Sequence, residues 1–230
     1  MTVAPTLFGL IRHGQTDYNL ADRFQGSSDI PLNATGREQA HHALDLVPDL
    51  GWDRLVSSPL SRARETAAII GADHGIELGE ADPQLSEIDW GAAEGVDVNE
   101  AEARWPHRSF PGRESSRQVL DRALAALSDL AEAHPGERIL VVAHGTLIRL
   151  VLTGITGVAL PSIPNGTLSV VEVGTQDPDR DDDTLWSVQM IAGRPYADSP
   201  HLTIHELAVD DAHLIPAAPP ASAATKESVR

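Results

Sequence analysis

Two short runs, Leu7-Phe8-Gly9-Leu10-Ile11 and Ile139-Leu140-Val141-Val142-Ala143, are apolar at nearly every position and pass directly into Arg12-His13-Gly14 and His144-Gly145. A strand facing water on one side alternates polar and apolar residues; an uninterrupted apolar run of this length reads as a strand covered on both faces. A third, shorter run is Leu55–Ser57. Helical patterns lie between the runs, which points to an α/β sheet with helices packed over it. Each run ends in a polar turn, and ligands of open α/β sheets sit beyond the carboxyl ends of the strands.

Capping chemistry marks the helices. Thr35 and Glu38 make a capping-box pattern ahead of a helix expected to reach about Val47, and Ser115 and Gln118 repeat it. The second helix carries Val119, Ala123, Leu127 and Leu130 on one face and stops at His134-Pro135-Gly136. Helices are also expected over Ser61 to His74 and Thr146 to Thr153, and strands near Leu168–Val173, Leu185–Ile191 and Leu202–Leu207. The whole of 1–215 reads as one domain, and 216–230, rich in Ala, Pro and Ser, as a disordered tail. The acidic stretch Asp177 to Asp183 lacks the Gly and terminal Glu of a calcium loop and reads as a turn.

Composition removes several chemistries. There is no cysteine, so disulfides, thiolate zinc sites and a Cys nucleophile are excluded. The sole lysine is Lys226, which leaves no lysine for a Schiff base or a phosphate-binding loop. The formal charge of −17 argues against nucleic acid and anionic membrane as partners, since both select cationic surface. An anion site in this chain must be a local concentration of Arg, His and backbone N–H. No apolar run approaches the ~20 residues that span a bilayer, and the first ten residues lack a signal-peptide pattern, so a cytoplasmic protein is expected.

Four segments place polar groups at the end of an apolar element: Arg12-His13-Gly14-Gln15-Thr16, Ser57-Ser58-Pro59-Leu60-Ser61-Arg62, Leu85-Ser86-Glu87 running on to Trp90-Gly91 and Glu94-Gly95, and Ala143-His144-Gly145. Singly, each is an ordinary turn histidine, solvated helix arginine or loop carboxylate. Together, and in this order, they resemble the four motifs of the histidine phosphatase superfamily in its phosphoglycerate mutase-like branch. Asn19, Gly26 and the Leu32…Thr35-Gly36 helix start belong to the same likeness, which spans about residues 7 to 150.

That resemblance implies a three-layer α/β sandwich: a mostly parallel central sheet flanked by helices on both faces. It implies that His13 becomes a phosphohistidine, that Arg12, Arg62 and His144 bind the phosphoryl oxygens, and that Glu87 is the general acid. Asn19, Gln25, Gly26, Gly145 and Thr146 are the remaining candidates for phosphate or substrate binding. The chemistry agrees: phosphoryl transfer needs an in-line nucleophile, cationic donors on the equatorial oxygens and a proton for the leaving oxygen. Trp90 is expected to wall Glu87 with apolar surface and raise its pKa. Glu94 is read as positional.

The arginines and histidines supply the charge, so no metal and no cofactor are expected; His41-His42 lies in a helix with no third ligand nearby, and His201…His205 has strand-like spacing. Mutases of the family carry an Arg-Arg pair and a Lys after the Glu-Gly. Here Gly95 is followed by Val96-Asp97-Val98-Asn99-Glu100, with only the scattered Arg104, Arg108 and Arg113 beyond. Pro111-Gly112-Arg113-Glu114-Ser115 resembles the Pro-Gly-Gly-Glu-Ser turn of the phosphatase-like members, with Arg113 either touching substrate or facing water. Hydrolysis of a small phosphorylated metabolite is therefore the leading expectation. A 2,3-bisphosphoglycerate-dependent phosphoglycerate mutase and a phosphate-binding protein without turnover are the alternatives. A homodimer is the one self-association left open.

Overall fold

A computed structural model of the chain describes residues 4–45, 50–175, 184–196 and 202–203. The elements in order are β1 (Thr6–Arg12), α1 (Asp17–Leu20), α2 (Ala34–His41), β2 (Arg54–Ser57), α3 (Ser61–His74), β3 (Leu78–Ala81), α4 (Val98–Arg104), α5 (Ser116–Ala133), β4 (Arg138–Ala143), α6 (Gly145–Thr156), β5 (Leu168–Thr175), β6 (Thr184–Ile191), β7 (Arg194–Pro195) and β8 (Leu202–Thr203). The strands form one sheet in the order β3-β2-β4-β1-β5-β6-β7, with β8 also on β6. β3, β2, β4 and β1 run parallel, and β5 reverses direction, so the sheet is parallel on the side that carries the polar turns and antiparallel beyond β1.

The alternation of β1 and β4 explains their unbroken apolar character. Phe8 and Leu10 of β1, with Ile139, Val141 and Ala143 of β4, enter one core alongside α5 and α6 residues such as Val119, Leu127, Leu147 and Ile148. Ile11, Leu140 and Val142 enter a second core on the opposite face, with Ala63, Ala67 and Ile70 of α3. Both faces of the sheet are covered, which makes the three layers. Each such Leu, Ile or Val contributes about 1.5–3 kcal/mol on burial. α6 is buried on almost all sides, from Leu147 through Thr156, because it lies between α5 and the sheet.

Ser115 and Gln118 form the expected capping box at α5. At α2 the expectation fails: the cap is Asn33, whose side chain accepts from the Gly36 N–H, and Thr35 lies inside the first turn. An Asn side chain at that position reaches the free N–H groups two residues earlier than Thr35, and the helix ends at His41. Val47 lies outside the described residues, as do 177–183, 204–207 and the tail. β3 and α4 were not anticipated. β3 is a half-exposed edge strand, Leu-Gly-Glu-Ala, with too little apolar pattern to announce itself. Among the described residues no helix is long and apolar enough to cross a membrane.

Candidate active site

His13 and His144 follow the adjacent parallel strands β1 and β4, so the sheet itself brings them together; their ring centroids are 5.1 Å apart at 61°. Both are buried. The His13 Nδ1 lies 2.7 Å from the Gly14 carbonyl oxygen, and the Arg62 Nε lies 3.2 Å from His13 Nε2. A carbonyl only accepts and a guanidinium only donates, so these partners fix the tautomer: Nδ1 carries the hydrogen and Nε2 carries the lone pair. Burial pushes His13 well below its ordinary pKa; Arg62 and Arg12 push the same way, and the Gly14 carbonyl opposes them. Burial likewise lowers His144 well below its usual value, with Arg62, His13, Arg12 and Arg122 adding to the shift. Both rings are therefore neutral near pH 7.

Arg62 enters from the first turn of α3 and is wholly buried. Besides His13 it donates through Nη1 to the Ser28 carbonyl at 2.8 Å and through Nη2 to the Gly26 carbonyl at 2.7 Å. Burial lowers its pKa to about 10, with Glu87, Asp29 and Glu94 resisting the fall. The loop that supplies those carbonyls is pinned by Glu94. Its Oε1 accepts from the Ser27 N–H (2.7 Å), the Ser27 hydroxyl (2.8 Å) and the Trp90 N–H (3.3 Å), and its Oε2 from the Ser28 hydroxyl. Burial alone would raise the Glu94 pKa, but these hydrogen bonds outweigh it and lower the value. Gly26 sits at φ +56, and a Cβ there would come within 2.3 Å of Glu94 Oε1, so glycine is required twice over. Asp29 in the same loop caps α3 by accepting from the Ser61 N–H at 2.7 Å.

Arg12 is anchored through Nη1 to the Ile163 carbonyl at 2.5 Å, and burial lowers its pKa while Glu87 opposes that. Its Nε is a buried donor without a hydrogen-bond partner, and the Nδ1 of His144, whose Nε2 lies 2.7 Å from the Ser58 hydroxyl, is a buried ring nitrogen equally without one. Two such atoms in one buried cluster are costly, each by about 1–3 kcal/mol, unless a ligand answers them. A Cβ on Gly145 would stand 3.0 Å from Arg12 Nε, so Gly145 keeps that approach open. Gly145 opens α6, which leaves its N–H without an intrahelical acceptor.

The Glu87 carboxylate is met by backbone N–H groups: Oε1 accepts from the Ile88 N–H (3.0 Å) and the Leu147 N–H (3.1 Å), and Oε2 from the Thr146 N–H (3.0 Å). Trp90, expected as an apolar wall for it, packs edge-on against Phe24 and Phe110. The carboxylate occupies the N-terminus of α6, which claims Thr146 as its donor. Asn19 has its Oδ1 taken by the Thr16 N–H and by Asn165 Nδ2, so a role on a ligand falls to its own Nδ2. Gln25 is buried and accepts from the Thr16 hydroxyl at 2.5 Å, which makes it a brace for the first motif. Arg113 is half-buried, 5.5 Å from the Trp90 ring centroid and bonded to Ser116, rather than facing water. His41 and His42 pair with Asp73 and Asp45, and among the described residues no three His, Cys, Asp or Glu side chains converge as a metal site.

Sequence reasoning missed Ser58, Asn165 and Thr66. Asn165 donates to the His13 carbonyl at 3.0 Å, and the Thr66 hydroxyl accepts from the Gly14 N–H at 3.1 Å. Ser58 sat within a quoted motif; Asn165 lies in a turn before β5, 152 residues from its partner, and carries no local signal.

The family model for the histidine phosphatase superfamily (branch 1) matches residues 8–184, and the chain belongs to that family. It is 42% identical over 148 residues to the "Uncharacterized phosphatase PhoE" of Bacillus subtilis (strain 168), covering 64% of this chain and 76% of the relative. It is 35% identical over 159 residues to the "Probable phosphoglycerate mutase GpmB" of Salmonella newport (strain SL254), covering 64% and 74%. A mycobacterial glucosyl-3-phosphoglycerate phosphatase solved in complex with VO3 superposes with a TM-score of 0.69 at 26% identity, over 81% of this chain and 98% of that one.

Proposed function

We propose that the chain is a metal-independent phosphomonoesterase acting on a small phosphorylated metabolite through a phosphohistidine on His13. The observation that carries this is the fixed tautomer: Nδ1–H is held on the Gly14 carbonyl, and the Nε2 lone pair stands beside a guanidinium in a buried, cationic cluster. Nε2 attacks phosphorus in line as the ester P–O bond breaks. Arg62 exchanges its contact with Nε2 for a phosphoryl oxygen, joined by Arg12, His144, Asn19 Nδ2 and the Gly145 N–H. Glu87, protonated, gives its proton to the departing alcohol oxygen. It then takes a proton from water as that water attacks phosphorus and the P–N bond breaks, which restores neutral His13 and releases phosphate. With the His144 hydrogen on Nδ1, the two buried nitrogens without partners, Arg12 Nε and His144 Nδ1, are ones a phosphoryl oxygen would satisfy.

Hydrolysis is preferred to the mutase reaction because the arginines beyond Gly95 are already engaged. Arg108 donates twice to Glu102, Arg104 stacks on Trp105, and Arg113 is tied to Ser116 and Trp90. A mutase needs a second cationic subsite to hold a bisphosphorylated intermediate while it reorients. Release of p-nitrophenol from p-nitrophenyl phosphate in excess EDTA, abolished in His13→Asn, is the expected result. Inactivity of the intact protein, or 2,3-bisphosphoglycerate-dependent interconversion outpacing phosphate release, would overturn it.

A further inference from the structure

Arg122, on α5, makes a set of contacts that the phosphate chemistry does not require. Its Nη1 donates to the Gln84 and Ser86 carbonyls, both at 2.6 Å, and its Nη2 to the Glu87 carbonyl at 3.2 Å. On its other edge it grips the Glu114 carboxylate, Nε to Oε1 at 2.8 Å and Nη2 to Oε2 at 3.0 Å. A guanidinium has five N–H groups, and here five acceptors match them. Three of those acceptors are backbone carbonyls of the one loop that presents Glu87.

Glu114 extends the grip across the loop. Its own N–H donates to the Asp89 carbonyl at 2.8 Å, and its Oε2 accepts from the Asp89 N–H at 3.3 Å. The segment from Gln84 to Asp89 is thus fixed at four residues by one ion pair between Glu114, just ahead of α5, and Arg122 on its second turn, while the Glu87 carboxylate is fixed from the far side by the first N–H groups of α6. The pair is partly buried, 20% and 21% exposed at the side chains, so its geometry is better defined than that of a surface ion pair.

We infer that Arg122, clamped by Glu114, is a positioning residue for proton transfer by Glu87: it sets where that carboxyl group sits relative to the leaving oxygen. Arg122 itself touches neither substrate nor the reacting atoms. The inference rests on the proposed role of Glu87, and it has a signature that a merely structural role would lack. A positioned acid matters for an alcohol that leaves as a poor leaving group and hardly at all for one that departs unprotonated. General acid catalysis of this kind is worth about 10²–10⁴-fold.

The experiment compares kcat/KM for β-glycerophosphate and for 2,4-dinitrophenyl phosphate in wild type, Arg122→Met, Arg122→Lys and Glu114→Gln. For both substrates kcat/KM reports the steps through release of the alcohol, so hydrolysis of the phosphoenzyme does not enter. The expectation for Arg122→Met is a loss of about 10²-fold with β-glycerophosphate and under about threefold with the dinitrophenyl ester. Arg122→Lys should recover part of the loss. Glu114→Gln, which leaves every carbonyl contact in place, should show a smaller drop with the same dependence on leaving group; it decides the matter if Arg122→Met does not fold. Equal losses on both esters, or no loss on either, would overturn the inference. Failure of the underlying reading has a different mark: Glu87→Gln itself would then lose no more with β-glycerophosphate than with the dinitrophenyl ester.

Discussion

Replacing Arg62 by Lys tests whether the site needs a guanidinium or only a positive charge. Arg62 serves three acceptors from one plane: His13 Nε2 at 3.2 Å, the Ser28 carbonyl at 2.8 Å and the Gly26 carbonyl at 2.7 Å. An ammonium is a point donor and cannot span that fork, so at least one carbonyl is orphaned, at about 1–3 kcal/mol of stability. Loss of a donor aimed at the developing charge costs about 2.7–4 kcal/mol of barrier, or ~10²–10³ in kcat. Charge state adds a second handle. Burial brings Arg62 down to about 10, still cationic near neutrality. The same burial applied to a lysine, whose ordinary value of about 10.4 starts lower, would push the ammonium's pKa down towards neutrality. Arg62→Lys should therefore lose kcat/KM at a lower pH than wild type as pH rises above neutrality. The assay is p-nitrophenyl phosphate hydrolysis from pH 6 to 10, with urea unfolding run alongside. A variant within about threefold of wild type, with the same pH profile, would refute the argument.

Three further outcomes follow from the same geometry. His13 and His144 are held neutral by burial, so in the folded chain they take up protons only well below their ordinary value of about 6.5, whereas the unfolded chain binds them from there downward. Stability should therefore be unaffected above about pH 7 and fall as pH drops below 6.5, by up to about 1.4 kcal/mol per pH unit for each histidine; His144→Gln should remove half of that slope in urea titrations between about pH 7 and 5.5, and an unchanged slope would contradict it. Gly14→Ala would set a Cβ 2.1 Å from the Gly36 carbonyl oxygen, a backbone atom that cannot swing aside, so a loss of about 1–3 kcal/mol and a fall of about 2–12 °C in Tm are expected by calorimetry. With a formal charge of −17 around a cationic site, added salt should leave kcat/KM for a phosphate ester unchanged or slightly higher; a steep fall would mean that local cationic steering dominates.

What the sequence carried were the features encoded by contiguous residues. Strands β1 and β4 are legible because burial on both faces removes alternation, and α5 because its capping box and its apolar face both lie within a few turns. The convergence of His13, Arg62, Glu87 and His144 was legible only jointly, from the order of four motifs, since each alone is an ordinary turn residue. The α2 cap was misjudged because Thr35-Gly36-Arg37-Glu38 satisfies the pattern for a capping box, while Asn33 satisfies the geometry. The partners of Glu87 were hidden for a different reason: two of its three backbone N–H donors come from α6, some 60 residues away, and no property of the side chains nearby in sequence reports them. Arg122 looked like one polar position on a helix until its carbonyl partners at Gln84, Ser86 and Glu87 were in view.

The central claim is a covalent one, and mass tests it directly. Mixing the protein with substrate in EDTA and quenching in alkaline denaturant, where a P–N bond survives, should show one added phosphoryl group on the intact chain. Fragmentation should place it on His13, and the adduct should vanish on acid treatment and be absent from His13→Asn. Steady phosphate release with no phosphorylated intermediate at any quench time, together with turnover retained by His13→Asn, would contradict the account.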